Sequence, residues 1–311
     1  MSIYQNFKIS PMLIGKESEP FFDKKYLYEL KFDGERCLAY IEKDNTLLIN
    51  KRGVKMLPKV PELKSIHKNC KTPCLLDGEL LVIKNGKPDF FEIQKRSLTS
   101  NPFKIKLMSE DFPACFTAFD ILYYKNKSLI DVPLIKRKEL LLDNIIKEDD
   151  KLSVSKHFAE GDLLYDFAWK NKLEGIVAKE KESLYYPSKR TKEWIKIKCL
   201  QDDDFIIIGY KEGDKASNLS SLLLGQFKNE KIVYIGNVSV GKKTDVFNKT
   251  KALKRFNYDT VKTYKNAIYV EPKLVCTVKF MMRTSNGGLR QPVFKSLRYD
   301  KNPKECLYNN A

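Results

Sequence analysis

The chain has 311 residues, long enough to bury a sizeable core and, on length, to form two domains. It is 42% hydrophobic and 12% aromatic, as a globular protein is, and none of its apolar runs approaches the roughly 18 residues of a membrane span. Lys+Arg 57 against Asp+Glu 40 leaves a net charge of +17 spread along the chain, the footprint of a polyanion binder, and with His67 and His157 as its two histidines it excludes chemistry built on several imidazoles.

The N-terminus MSIYQNFKISPM lacks the apolar stretch of a signal peptide, so a cytoplasmic protein with no membrane attachment is expected. Next comes YLYELKFDGERCLAY, residues 26–40. With period two, Tyr26, Tyr28, Leu30 and Phe32 share an apolar face while Glu29, Lys31 and Asp33 line the other. On period alone, Asp33-Gly34 reads as the turn of an amphipathic hairpin. The β-rich runs CLAYIEK, TLLINKRG, CLLDGELLVI, CFTAFDILYY, EGIVAKE and EWIKIKC follow, broken by the helix-like PLIKRKELLLDNII and DLLYDFAWKNK. That pattern predicts an α+β domain on antiparallel sheet over residues 1–200. At QDDDFIIIGYKEGD the character changes to short strands and turns, with one helical stretch near KTDVFNKTKALKRF. This suits a five-stranded OB-type barrel over residues 201–311, with the boundary near Cys199 to Asp202.

Seven scattered cysteines, an odd number, read as reduced thiols rather than a disulfide framework. His67, Cys70 and Cys74 offer three zinc-type ligands, but no fourth is nearby and there is no C-x-x-C pair.

The hexapeptide Lys31-Phe32-Asp33-Gly34-Glu35-Arg36 resembles the K-x-D-G-x-R signature of the covalent nucleotidyltransferases. Downstream, KRG (51–53), LDGEL (76–80), FTAFDIL (116–122), LEGIVAK (173–179), WIKIK (194–198) and LRYDK (297–301) resemble the motif set of ATP-dependent DNA ligases, in order. ISPMLIGKESEPFFDKKYLYELKFDGER, FFEIQKRSL, YYPSKRTKEWIKIK and NGGLRQPVFKSLRYDK are similar to the ligase module of bacterial end-joining ligases, and the resemblance covers nearly all of the chain. NKRG stands where that family usually has Ser-Arg, but it keeps Arg52.

The resemblance implies a nucleotidyltransferase (ATP-grasp-like adenylation) domain with antiparallel sheets, followed by an all-β OB-fold domain. It implies sealing of 3′-OH/5′-phosphate nicks through lysyl-AMP and adenylated DNA, in DNA repair or end joining. ATP and a divalent metal, Mg²⁺ or Mn²⁺, would be the cofactors. Nicked duplex DNA and a Ku-type end-binding protein would be the partners of a monomer, nucleoid-associated if bacterial. Lys31 would be the nucleophile. A free lysine is unprotonated about once in 2,500 at neutral pH, so a lysine nucleophile needs cations to disfavour its ammonium form. Alternation puts Lys196 and Lys198 on the face of Trp194, where they serve that purpose beside the α-phosphate. Glu79 and Glu174 are the expected metal ligands. Phe119 would stack on adenine, Glu29 would lie at the adenine edge, and Arg36 and Arg52 would meet sugar or nick phosphates. Lys179 also belongs to the nucleotide site; five residues from Glu174, it needs a bulge or a strand end between them. Arg190 would contact DNA. Arg298, Asp300 and Lys301 would orient the departing pyrophosphate once the second domain closes over ATP.

Other readings fit less well. An RNA ligase lacking the last motif would not need Arg298, Asp300 and Lys301, and a capping guanylyltransferase would take GTP. An NAD-dependent ligase needs a domain ahead of the nucleophile, where this chain has 30 residues. A non-catalytic basic OB protein would have lost the lysines.

Overall fold

β-branched and aromatic residues at alternating positions supply the strands of the first 199 residues, and a computed structural model shows how these share two sheets. It describes residues 3–212, 220–241, 244–261, 264, 266–284 and 286–308. The chain divides into two units, Met1–Cys199 and Leu200–Ala311.

The strands of the first unit are β1 (Leu13–Glu17), β2 (Tyr26–Leu30), β3 (Glu35–Ile41), β4 (Thr46–Asn50), β5 (Cys74–Lys84), β6 (Lys87–Pro88), β7 (Ala114–Tyr124), β8 (Lys127–Ser128), β9 (Leu152–Val154), β10 (His157–Phe158), β11 (Gly175–Glu180) and β12 (Arg190–Lys198). One sheet runs β1-β12-β11-β2-β10 and the other β4-β3-β5-β7-β8, with β6 on β5 and β9 parallel to β7. The hairpin suggested by Asp33-Gly34 does not form: β2 ends at Leu30, and β3 starts the other sheet. The linking residues 31–34 pass so close to β5 that a Cβ at Gly34 would collide with the Leu80 carbonyl oxygen. Nor is β2 half-solvated, since Leu27, Tyr28 and Glu29 are all buried. Tyr28 packs with Leu164, Ala168, Ile176 and Ile197, whereas Leu27 shares a cluster with Leu38, Phe119, Val177 and Trp194, drawn from both sheets.

The helices are α1 (Ile3–Asn6), α2 (Phe90–Leu98), α3 (Pro102–Asp111), α4 (Leu134–Asn144) and α5 (Gly161–Lys170). α4 and α5 lie where the sequence pattern puts them. α2 and α3 do not stand out by periodicity, but their starts are marked: Asp89 accepts from the amides of Phe91 and Glu92, and Asn101 caps a helix with Pro102 in its first turn. α4 buries Leu134, Arg137, Lys138, Leu141 and Asn144, so two cations occupy its inward stripe. Arg137 forms a bidentate pair with Asp120 on β7 at 2.8 Å for both bonds, and both side chains are fully buried.

The second unit contains β13 (Gln201–Lys211), β14 (Ser220–Lys228), β15 (Lys231–Gly241), α6 (Thr244–Lys251), β16 (Ala267–Phe280), β17 (Met282–Arg283), β18 (Leu289–Arg290) and β19 (Val293–Leu297). Its antiparallel sheet runs β15-β14-β13-β16-β19, with α6 between the third and fourth of these in chain order, as an OB-fold requires. β13 is central and buried on both faces, Phe205 and Ile207 in one cluster, Ile206 and Ile208 in another. Among the described residues, no helix is long and apolar enough to cross a membrane. His67 bonds to Thr46, and Cys70 and Cys74 are buried free thiols.

Asp120→Asn strands the Arg137 guanidinium in the core. Urea unfolding should show a loss of about 3 to 5 kcal/mol, as when one member of a buried ion pair is removed.

Candidate active site

The path of the chain out of β2 sets the position of Lys31. Its amide donates to the Gly175 carbonyl at 2.9 Å, which makes residue 31 the last rung of the β2–β11 ladder. Gly175 has φ +139°, and a Cβ there would collide with the Ile197 carbonyl oxygen of β12. Glu174, one residue outside β11, accepts from the Lys31 ammonium at 2.5 Å. The end-of-strand placement resolves the parity problem: Glu174 reaches Lys31, while Lys179, within the strand, points into the pocket beyond. That pocket is lined by Glu29, Lys31, Arg36, Phe119, Lys179 and Trp194, among others.

Glu29 lies at its end, buried, with one carboxylate oxygen accepting from two buried ammonium groups, Lys138 of α4 at 2.7 Å and Lys179 at 2.9 Å. Burial alone would push this carboxyl up, but the two lysines outweigh it and hold it below the ordinary carboxylate range. Lys179 is pushed down to about 8, chiefly by burial and further by Lys138, against the pull of Glu29. Its ammonium also sits 4.4 Å from the ring centroids of both Phe119 and Trp194. Phe119 and Trp194 meet edge to face at 6.2 Å. Arg36, whose guanidinium lies 4.3 Å from the Phe119 ring, makes two 2.6 Å bonds to buried Asp77, which also accepts from the Tyr185 hydroxyl at 2.6 Å. Arg36 is therefore fixed at the pocket wall by an acid outside the expected set.

Glu79 is half-buried on β5. Desolvation pushes its carboxyl up to about 8, helped by Glu174 and Asp77 and opposed by Arg36 and Lys31. Two crowded carboxylates of this kind suit a hard divalent cation, whose charge would relieve their repulsion. Among the described residues, no group of three or more His, Cys, Asp or Glu is placed to hold a metal, so a cation here would complete its shell with water or substrate oxygens.

Lys196 and Lys198 do lie on the Trp194 face, opposite Ile195 and Ile197. Register places Glu29, Val177 and Lys196 in one row across the sheet, and Lys198 beside Gly175 in the row of Lys31. Two strand spacings, about 10 Å, separate the backbones of Lys31 and Lys198. Both ammonium groups rest instead on Glu17 of β1, at 3.0 and 3.3 Å, a counter-ion the sequence pattern did not single out. Arg52 lies in the exposed turn after β4, with its amide on Asn50. Arg190 is exposed and donates to the Ile14 carbonyl at 2.7 Å, tying β12 to β1.

In the second unit, Arg298 makes a bidentate pair with Asp300 at 2.9 and 2.7 Å. Arg298 and Lys301 both donate to Asp204 of β13, at 3.1 and 2.7 Å, and the Thr277 hydroxyl holds its other oxygen at 2.6 Å. Burial pushes Asp204 up, but Lys301, Thr277 and Arg298 prevail and keep it below the usual range.

The family model described as ATP dependent DNA ligase domain matches residues 11–198, and the one described as ATP dependent DNA ligase C terminal region matches residues 215–301. The chain belongs to the ATP-dependent DNA ligase family. A DNA ligase of Thermococcus fumicolans is 29% identical over 299 residues, covering 90% of this chain and 53% of that protein. The multifunctional non-homologous end joining protein LigD of Pseudomonas aeruginosa is 31% identical over 301 residues, covering 90% of this chain and 34% of that protein. This ligase chain thus spans about half or less of those two relatives. The crystal structure of the ligase domain from M. tuberculosis LigD shares the fold, with a TM-score of 0.55 at 24% identity, covering 97% of this chain and 98% of that one.

Asp204 was not singled out because QDDDF offers three equivalent acids; only β13 register shows which one faces Thr277. Asp204→Asn should lower stability at pH 7 by about 1 to 3 kcal/mol in chemical denaturation, with β19 and its flank loosening first. A depressed folded-state pKa gives stability that is present above the unfolded value of about 3.9 and lost as pH falls through the folded value. Between pH 5 and 3 the wild type should therefore lose more stability than the variant.

Proposed function

We propose that this chain seals 3′-OH/5′-phosphate nicks in duplex DNA, with residues 1–200 as the adenylating domain, residues 201–311 as the OB domain and Lys31 as the nucleophile. The observation that carries this reading is the fixing of Lys31 by the Gly175 carbonyl and Glu174, at the mouth of a pocket that ends in Glu29, Phe119 and Lys179.

The chemistry follows from these positions. Adenine enters between the aromatic rings and the Glu29 edge, so the α-phosphate is presented toward Lys31. The Lys31 ammonium gives one proton to the Glu174 carboxylate it already meets. The freed nitrogen then forms a bond to the α-phosphorus as the bond to the bridging α–β oxygen breaks, pyrophosphate leaves, and the remaining excess N–H proton passes to solvent. AMP then passes to the 5′-phosphate of the nick, and the 3′-OH displaces it. Lys196 and Lys198 exchange Glu17 for phosphate oxygens, which stabilises the charge that builds on them. Glu79 and Glu174 would hold a divalent cation, Mg²⁺ or Mn²⁺, which supplies further neutralisation of phosphate charge when bound. Arg298 and Lys301, held by Asp204 with Asp300 as a restraint, act on the leaving pyrophosphate. Arg52 and Arg190 meet the DNA backbone, Arg190 after giving up the Ile14 carbonyl. The net charge of +17 suits a duplex partner. A role in repair or end joining, beside a Ku-type partner and as a cytoplasmic or nucleoid-associated monomer, is proposed from the likeness to a protein named for non-homologous end joining.

Nicked duplex labelled at the 5′-phosphate should be joined with ATP and not with GTP, and Lys31→Ala should lower joining by at least about a thousandfold. Joining by Lys31→Ala at the wild-type rate, or with GTP alone, defeats the reading. Because the cation must replace the Glu79 proton, Mn²⁺ affinity in titrations should fall by up to about tenfold per unit as pH drops below 8 and level off above it. Glu79→Gln should flatten that profile.

A further inference from the structure

We propose that Lys138 is a positioning residue that fixes Glu29 and thereby sets the choice of nucleobase. This rests on the reading that Glu29 meets the adenine edge.

Two buried cations share one buried carboxylate here. Lys138, Lys179 and Glu29 are each at most 3% exposed, and both ammonium groups donate to the same oxygen of Glu29. The group carries one positive charge more than it neutralises, and an unmatched buried charge is costly. Anchoring of α4 does not require it, because the preceding residue Arg137 already binds Asp120 through two bonds. Lys179 has a second seat against the faces of Phe119 and Trp194, within the pocket. Lys138 has no such alternative: apart from Glu29 it reaches the Ser155 carbonyl at 3.4 Å, and it comes from α4, outside the pocket lining.

The division of labour follows. Lys138 holds one oxygen of Glu29 and keeps the group charged, so that Lys179 is free to turn from Glu29 toward a ligand. A charged carboxylate accepts a hydrogen bond from the exocyclic amine of adenine and repels the carbonyl oxygen that guanine carries at the same place. Without Lys138, Lys179 must serve as the counter-ion of Glu29, and the carboxylate loses its fixed orientation. The rate of phosphoryl transfer at Lys31 does not depend on this contact, so the effect falls on binding and base selection.

The test uses the full chain and follows covalent labelling by α-labelled ATP and GTP in wild type, Lys138→Met, Lys138→Gln, Lys138→Arg and Glu29→Gln, with thermal melts to identify folded protein. Lys138→Gln keeps a donor of similar reach without the charge. For Lys138→Met and Lys138→Gln we expect the KM for ATP to rise about tenfold, kcat to stay within about threefold and the ATP-to-GTP preference to fall about tenfold. Lys138→Arg should recover both. Folded Lys138→Met and Lys138→Gln with wild-type KM and preference, while Glu29→Gln shifts the preference, overturn the role of Lys138 alone. An equal loss of kcat with both nucleotides makes Lys138 structural and also overturns it. If Glu29→Gln leaves the preference unchanged, the base-edge reading itself fails and the inference falls with it.

Discussion

The site depends on a single backbone hydrogen bond, from the Lys31 amide to the Gly175 carbonyl. It closes the β2–β11 ladder one residue beyond the strand, at the point where the chain must leave one sheet for the other. The bond requires Gly175 to adopt a backbone conformation that favours glycine and to lie against the Ile197 carbonyl. Those two demands put Glu174 immediately outside the strand, against the Lys31 ammonium, and Lys179 inside it, on the pocket wall. Lys31 is thus rigid at the backbone while its side chain remains 20% exposed, as the proposed role of nucleophile would require.

A second regularity concerns the cations. Lys196 and Lys198 rest on Glu17, Arg298 and Lys301 on Asp204, Arg36 on Asp77, and Lys179 with Lys138 on Glu29. Clusters of positive charge repel one another when no anion is present, and each here is steadied by at least one carboxylate, Arg298 by Asp300 as well as Asp204. Where that carboxylate is exposed, as Glu17 is, phosphate oxygens can replace it at small cost. Where it is buried, as Asp77 and Glu29 are, it is a fixed part of the wall.

Much of this was legible in the sequence. The α+β reading, the OB-type tail and the cationic strand from Trp194 to Lys198 follow from periodicity, and the motif residues from resemblance. Glu17 and Asp204 were not legible as counter-ions, because pairing across β1 and β12 or β13 and β16 depends on register, which local pattern does not specify. Lys138 is hidden in the sequence for a different reason. KRK within PLIKRKELLLDN reads as the solvated face of a helix, yet Leu134, Arg137, Lys138 and Leu141 follow the spacing of a buried stripe. The break after Leu30 was hidden because Phe32 continues the alternation by two residues although the strand does not.

If a fixed Lys31 is the centre of this ligase, the attachment point of the nucleotide decides the matter. The protein is incubated with ATP and Mg²⁺, digested under conditions that spare acid-labile phosphoramidates, and mapped by mass spectrometry. AMP on the peptide carrying Lys31, and on no other lysine, is the predicted result. AMP on Lys179, Lys196 or Lys198, or protein that turns over ATP at nicks with no covalent nucleotide, would contradict it.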